Sequence, residues 1–228
     1  MLEINRIYNM DCLEGMRQMP DESVDLVIAD PPYGIGESNE KNLSRGTLAK
    51  PKDYGSYDWD KERLEKSYFD EMLRVSKNQL IFGGNYYIDY LHPSPCWIVW
   101  DKDNGNNDFA DCELIWGSFT SAVRLFKWRW NGMLKERPEE RFHPTQKPVA
   151  LIEWLVENYS EVGATILDPF IGSGTTAVAC KKLNRNFIGF EREKKYCDIA
   201  EKRLRGTQPL LPEVLKAKPS KLEAFCGE

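Results

Sequence analysis

Apolar and polar residues alternate along the chain in short blocks that predict strands interleaved with helices. The apolar run over 24–29 has the length of a buried strand, and 61–76 repeats apolar residues at helical spacing. Strands are predicted over 4–9, 24–29, 79–82, 96–100, 113–119, 121–130, 165–167 and 186–190, and helices over 12–19, 61–76, 147–160, 175–183 and 193–204. This order indicates an α/β fold with a doubly wound, mostly parallel sheet. Three consecutive strand-like pieces between 96 and 130 predict an antiparallel edge.

Length and composition favour a single domain. The 228 residues fit one α/β domain over 1–205, followed by a C-terminal tail over 206–228 with little periodicity. The six cysteines form no C-x-x-C pair and there are only two histidines, so we expect no metal site. Unpaired cysteines, no signal-peptide pattern and no apolar run of ~18 residues predict a cytoplasmic protein outside the membrane.

Four acidic residues stand at the ends of predicted strands. Asp11, Asp30, Asp168 and Glu191 each follow or close such a strand. In a doubly wound sheet, ligands bind beyond the carboxyl ends of the strands. We therefore expect these four side chains to gather at one edge of the sheet.

The segment 167–176, here called the glycine turn, has the composition of a cofactor site. Gly172 and Gly174 allow a tight turn and a close backbone approach to a ligand. Glu191, at the end of the next strand, is placed to accept hydrogen bonds from ribose hydroxyls. The carboxylate of Asp168 favours a cationic ligand, and no lysine follows Gly174 as a phosphate loop requires. These features point to S-adenosylmethionine, which carries an ammonium and a sulfonium but no phosphate.

The segment 30–34, Asp-Pro-Pro-Tyr-Gly, here called the proline segment, suits the binding of a planar amine. Two prolines fix two φ angles and remove two backbone donors, which leaves carbonyl oxygens as acceptors. Asp30 and the Pro31 carbonyl can accept both hydrogens of an aryl amine and stabilise the positive charge that develops during attack. Tyr33 can stack on the ring that carries the amine. An ordinary exit from a strand is the alternative reading of the segment by itself.

Together these segments resemble the amino-methyltransferases of DNA, which methylate adenine N6 or cytosine N4. The proline segment matches their catalytic motif and 168–176 matches their cofactor motif, in the order of the permuted β class. The resemblance extends to 9–12, 143–148 and 186–191. It implies catalytic roles for Asp30, Pro31, Pro32 and Tyr33. It implies cofactor binding by Asp11, Cys12, Asp30, Thr145, Lys147, Asp168, Phe170, Gly172, Ser173, Gly174, Thr175, Thr176 and Glu191.

The resemblance also implies a substrate and partners. The expected reaction is methyl transfer from S-adenosylmethionine to adenine N6 of a base flipped from duplex DNA. Aspartate at position 30 favours adenine, and cytosine N4 is the same-class alternative. A non-catalytic DNA-binding protein is the alternative of another class. Loops 34–58, 101–111 and 129–142 are the candidate DNA contacts, and a homodimer and a cognate restriction endonuclease are possible partners.

Some features invite stronger interpretations than they support. Phe126, Trp128 and Trp130 alternate with Lys127 and Arg129, which predicts a half-buried strand with a basic outer face rather than a wedge into DNA. The acidic run 101–108 lacks the spacing of a calcium loop. His143 is predicted to have a hydrogen-bonding role.

Overall fold

The computed structural model describes residues 2–34, 63–104, 110–131, 134–137, 139–143 and 145–211. The strands in these stretches are β1 (Arg6–Asn9), β2 (Val24–Ala29), β3 (Ser76–Phe82), β4 (Trp97–Asp101), β5 (Cys112–Gly117), β6 (Arg124–Lys127), β7 (Trp130–Asn131), β8 (Leu134–Lys135), β9 (Thr165–Asp168) and β10 (Asn186–Glu191). The α-helices are α1 (Cys12–Met16), α2 (Lys66–Val75), α3 (Val149–Tyr159), α4 (Thr175–Lys182) and α5 (Lys194–Arg205).

Eight of the strands form one mixed sheet in the order β1-β10-β9-β2-β3-β5-β4-β6. The first five strands in this order are parallel to one another, and β5 runs antiparallel to both of its neighbours. The predicted parallel sheet with an antiparallel edge is therefore confirmed. The strands β7 and β8 form a separate two-stranded hairpin.

Helices cover both faces of the sheet. Along β2, Leu26 and Ile28 pack into the hydrophobic cluster that contains α3 and α4. Val27 and Ala29, on the alternate positions, pack into the cluster that contains α1 and α2. Because successive side chains of a strand point to opposite faces, a strand covered on both sides must be apolar at nearly every position. This explains why β2 is apolar at every position except Asp25, which is partly exposed.

The strands β9 and β2 are neighbours at the point where the sheet reverses its winding. From β9 the chain crosses through α4 to β10 on one side, whereas from β2 it reaches β3 on the other side. Two connections that leave in opposite directions open a crevice beyond the carboxyl ends of the strands. Asp168 closes β9 and Asp30 follows β2, so the two segments singled out in the sequence meet at this crevice.

The predicted strand 121–130 is wrong in one respect, because it divides into β6 and β7. Trp130 turns inward, is 6% exposed, and donates its indole N–H to the carbonyl of Gln146 at 3.0 Å. The predicted loop 129–142 contains β8, which pairs with β7. The predicted half-burial with a basic outer face is confirmed. Phe126 and Trp128 pack against the core, whereas Lys127 and Arg129 are exposed.

Several predicted boundaries lie near or beyond the described residues. The helix predicted over 61–76 is observed as Lys66–Val75, and α5 ends at Arg205, where the predicted domain ends. Residues 206–211 contain neither helix nor strand. Most of loop 34–58, the centre of loop 101–111 and tail residues 212–228 lie outside the described residues, so the domain limits stay a prediction.

Candidate active site

A cavity of about 600 Å³ opens at the carboxyl ends of the parallel strands. It is lined by Asp11, Asp30, Asp168 and Glu191, as their positions at strand ends predicted. Several carboxylates that share one poorly solvated cavity repel each other unless a cation or hydrogen-bond donors compensate them. The site is therefore built to receive a positively charged or donor-rich ligand.

The carboxylate of Asp168 organises the glycine turn. Its Oδ1 accepts a hydrogen bond from the Phe170 backbone N–H at 2.9 Å, and its Oδ2 accepts one from the Thr176 hydroxyl at 2.5 Å. Burial nevertheless raises the pKa of Asp168 to about 7. Gly174 begins α4 at φ 83°, where an added Cβ would lie 2.6 Å from the Cβ of Ala200. Only glycine lets α4 and α5 approach so closely at this backbone angle.

Two further acids line the cavity beside the turn. Glu191 Oε1 accepts a hydrogen bond from the Glu193 backbone N–H at 2.7 Å, and burial raises the pKa of Glu191. Asp11 caps α1 by accepting from the Leu13 N–H at 2.8 Å. The Tyr68 hydroxyl lies 3.5 Å from the other oxygen of Asp11 and brings an aromatic ring from α2 to the cavity wall. This ring gives a planar ligand a surface on which to stack.

The proline segment is held rigidly on the neighbouring strand. Asp30 Oδ1 accepts a hydrogen bond from the Tyr33 hydroxyl at 2.8 Å, and the Pro32 carbonyl accepts one from the Tyr87 hydroxyl. The ring of Tyr33 stacks on Tyr86 with centroids 5.0 Å apart and an interplanar angle of 18°. These contacts fix the Asp30 carboxylate and the backbone that follows it.

Lys147 joins the proline segment to a buried carboxylate that the sequence did not reveal. Its ammonium nitrogen lies 2.7 Å from Asp30 Oδ2 and 3.3 Å from Glu113 Oε2. Lys102 contacts the other oxygen of Glu113 at 2.6 Å. Glu113 lies on β5, in a region without a recognisable motif, and only the pairing of β5 with β3 and β4 brings it to the site.

Gln146 is a second residue that the sequence analysis did not single out. Buried at 5% exposure, its Oε1 accepts hydrogen bonds from the Phe142 N–H at 2.9 Å and the Ser173 hydroxyl at 3.0 Å. It thereby ties the chain before α3 to the glycine turn. Its position between the predicted site residues Thr145 and Lys147, inside the stretch 143–148, could have indicated that Gln146 belongs to the site.

His143 has the surroundings of a structural residue. Its ring meets Tyr196 edge-on at 4.3 Å, and its Nδ1 lies 3.1 Å from the Thr145 hydroxyl. Burial, with the charges of Lys147 and Lys195 nearby, lowers the pKa of His143 to about 4. The ring is therefore neutral at pH 7, which agrees with the predicted hydrogen-bonding role.

Most of the predicted site residues line the cavity. They are Asp11, Cys12, Asp30, Pro32, Thr145, Lys147, Asp168, Phe170, Gly172, Ser173, Thr175, Thr176 and Glu191. Pro31, Tyr33 and Gly174 are not among the lining residues: Gly174 faces Ala200, and Tyr33 is turned toward Tyr86. The Cys12 thiol is buried, and this burial raises its pKa, so it acts as a small apolar group.

The cavity composition suits S-adenosylmethionine. Among the described residues, the basic side chains that line the cavity are paired with acids: Arg63 with Asp89, Lys147 with Asp30 and Glu113, and Arg192 at 3.8 Å from Asp11. The lining carboxylates of Asp168 and Glu191 form no salt bridge with a described residue, so they favour a cationic ligand over a phosphate. Within the described ranges, no three His, Cys, Asp or Glu side chains are grouped so that they could hold a metal ion. In the same part of the chain no helix has the length and apolarity to cross a membrane.

Three basic side chains lie on or after β8. Arg141 and Lys135 lie over the ring of Trp130 at 5.4 and 4.7 Å, and Arg137 lies 5.4 Å from the ring of Trp128. They alternate with Glu136, Glu139 and Glu140. This part of the predicted loop 129–142 therefore presents individual cations held by aromatic rings, and no net positive charge.

Comparison with known proteins gives a consistent answer. A family model described as DNA methylase matches residues 99–202. The chain is 30% identical to the type II methyltransferase M.HinfI of Haemophilus influenzae, across 96% of this chain and 74% of that protein. It is 27% identical to the type II methyltransferase M2.MboI of Moraxella bovis, across 93% and 92%. The crystal structure of an M1.HpyAVI–SAM complex superposes with a TM-score of 0.54 at 29% identity, covering 87% of this chain and 98% of that one.

Proposed function

The chain belongs to the family of DNA methylases of the adenine-N6 and cytosine-N4 type, and from this premise we propose that it methylates adenine N6 in duplex DNA. The observation that carries the proposal is the meeting of Asp30 and the Asp168 turn at one cavity, where the sheet reverses its winding. Asp168, which we assign to the cofactor, and Asp30, which we assign to the substrate amine, lie at the ends of adjacent strands. The methyl donor and the amine that accepts the methyl group would therefore share one pocket. Such proximity supplies much of the rate of a bimolecular transfer.

Asp30 is the residue that we assign to the amine. An aryl amine shares its lone pair with the ring and attacks well only when it becomes more pyramidal. Asp30, which lines the cavity, would accept from this amine and favour that geometry; the second acceptor expected from the resemblance, the Pro31 carbonyl, is not among the lining groups. As the nitrogen takes up the methyl group it becomes cationic, and the Asp30 carboxylate stabilises this charge from a preorganised position. Aspartate at this place also supports adenine over cytosine.

We assign the cofactor to the opposite side of the cavity. S-adenosylmethionine, when bound, supplies an electrophilic methyl group on a sulfonium. Asp168 and the glycine turn would hold its charged end, and Glu191 would accept from the ribose hydroxyls. Tyr68 and Asp11 would hold the base of the cofactor through stacking and hydrogen bonding. These individual roles are proposals that rest on the lining of the cavity.

Duplex DNA would approach over the β7–β8 hairpin. Its basic residues neutralise phosphates without reading sequence, and this contribution weakens as salt rises. A base inside a duplex cannot reach Asp30, so the target nucleotide must leave the stack, at a cost of a few kcal/mol. A homodimer and a cognate restriction endonuclease remain predictions from the resemblance, and a cytoplasmic location remains a prediction from the composition.

The test is methyl transfer from labelled S-adenosylmethionine to unmethylated duplex DNA, followed by nucleoside analysis. We expect N6-methyladenine, and we expect Asp30→Ala to reduce its formation by at least ~10²-fold while cofactor binding persists. Asp25→Asn is the matched control, because Asp25 lies on β2 at the end away from the cavity, paired with Lys77 at 2.8 Å. N4-methylcytosine as the product would move the substrate to cytosine. Cofactor binding without transfer to either base would contradict catalysis on DNA.

A further inference from the structure

Four charged side chains form a line behind the proline segment. Lys147 stands between Asp30 and Glu113, at 2.7 and 3.3 Å, and Lys102 contacts Glu113 at 2.6 Å. The four side chains are 11–23% exposed. They lie directly after β2, directly after β4, on β5 and in the turn before α3, so four separate parts of the chain meet in this line.

Stability alone does not account for this arrangement. Removing ions from water costs several kcal/mol each, and a buried ion pair often stabilises a protein no more than apolar residues of the same volume. The line of charges also ends at the site, because Asp30 is its one member in the proline segment. The Asp30 carboxylate is held at both oxygens, by Tyr33 at Oδ1 and by Lys147 at Oδ2.

We propose that Lys147 is a positioning residue, which keeps the Asp30 carboxylate ionised and turned toward the substrate amine, and that Glu113 holds Lys147 in this place. The proposal rests on the proposed function, because it assumes that Asp30 accepts from the amine. It gives Lys147 a role different from the cofactor contact that the resemblance implied.

The charges around Asp30 support this role. Burial raises the pKa of Asp30, Lys147 and Tyr33 act to lower it, and Glu113 acts to raise it. Asp168, on β9, is close enough for Asp30 to raise its pKa in turn. Of the groups that face Asp30, Lys147 is the one cation among those described. A neutral residue at 147 would therefore leave Asp30 protonated at pH values where it is normally ionised, and a protonated carboxyl accepts poorly from an amine.

The test is the pH dependence of kcat for DNA methylation in Lys147→Met, which keeps the length of the side chain but removes its charge. We expect the acidic limb of the profile to move to higher pH. Each unit of displacement lowers kcat about tenfold at a fixed pH on that limb, so most of the lost rate returns on the alkaline side. Lys182→Met is the matched control: Lys182 on α4 pairs with Glu153 on α3 at 2.9 Å, neither side chain lines the cavity, and the variant should keep the wild-type profile.

A second variant tests the electrostatic origin. In Lys147→Met with Glu113→Gln, both the attractive and the repulsive neighbour of Asp30 are neutral. Because Lys147 acts on Asp30 more strongly than Glu113 does, the acidic limb should lie between those of the wild type and of Lys147→Met. If the single variant fails to fold, the double variant provides the comparison, because it also neutralises Glu113, which Lys147→Met leaves with Lys102 as its one basic partner among the described residues.

Three results would overturn the inference. A lower kcat with an unmoved acidic limb would reduce Lys147 to a structural residue. A weaker affinity for S-adenosylmethionine with an unchanged kcat profile would return it to the cofactor. Failure of the wild-type protein to methylate DNA at any pH would remove the proposed function itself, and is distinguished from the other two because it does not involve the variants.

Discussion

Asp168 should make cofactor binding depend on pH. Burial raises its pKa to about 7, far above the usual value of 3.8. Below that pKa the free protein carries a neutral carboxyl, whereas a cationic ligand requires the carboxylate. The affinity for S-adenosylmethionine should therefore be highest above the raised pKa and should fall as the pH decreases through it.

The magnitude can be worked out from this pKa. With a pKa of about 7, roughly three quarters of the carboxyl is ionised at pH 7.5 but only about a tenth at pH 6. The Kd for S-adenosylmethionine should therefore rise about eightfold over this interval, which corresponds to ~1.3 kcal/mol. Binding at pH 6 should also be accompanied by release of nearly one proton.

Calorimetric titration without DNA measures both quantities, because the heat observed in buffers of different ionisation enthalpy reports the protons released. Asp168→Asn should bind more weakly and lose most of the pH dependence. A Kd that stays constant between pH 6 and 7.5, or an Asn variant that keeps the full slope, would refute the assignment of Asp168 to the cationic end of the cofactor.

Three further substitutions test the packing around the site. Gly174→Ala forces a side chain to φ 83° and to 2.6 Å from Ala200, so urea denaturation should show a loss of ~1–3 kcal/mol in the free energy of unfolding; an unchanged midpoint would contradict it. Gly83→Ala places a Cβ 2.3 Å from the ring of Tyr33 and should lower kcat while the Kd for the cofactor stays within about twofold, measured by methyl transfer and calorimetry. Gln146→Leu removes the link between the turn before α3 and the glycine turn, at ~1–3 kcal/mol for the buried donors left unpaired; thermal denaturation should show a lower Tm, and a Tm equal to the wild type would show that the link is dispensable.

The sequence by itself determined the fold class and which two segments meet at one edge of the sheet. The strand over 24–29 was predicted with its observed limits, because an apolar run that ends at Asp-Pro-Pro leaves little choice of boundary. The four acids were correctly predicted to gather because parallel strands place their carboxyl ends on one edge. These conclusions depend on local pattern and on a rule of topology, both of which are visible in one dimension.

The tertiary structure decided which side chains work together at that edge. Nothing near Glu113 in the sequence indicates that it lies 3.3 Å from the amine of Lys147, because their contact depends on how β5 enters the sheet. The strand predicted over 121–130 is likewise divided, and Trp130 turns inward. This turn is accompanied by a hydrogen bond from Trp130 to the Gln146 carbonyl, which is 16 residues away in the chain. Pairings between distant residues leave no periodicity in the chain, since they are selected by packing and desolvation after the elements have formed.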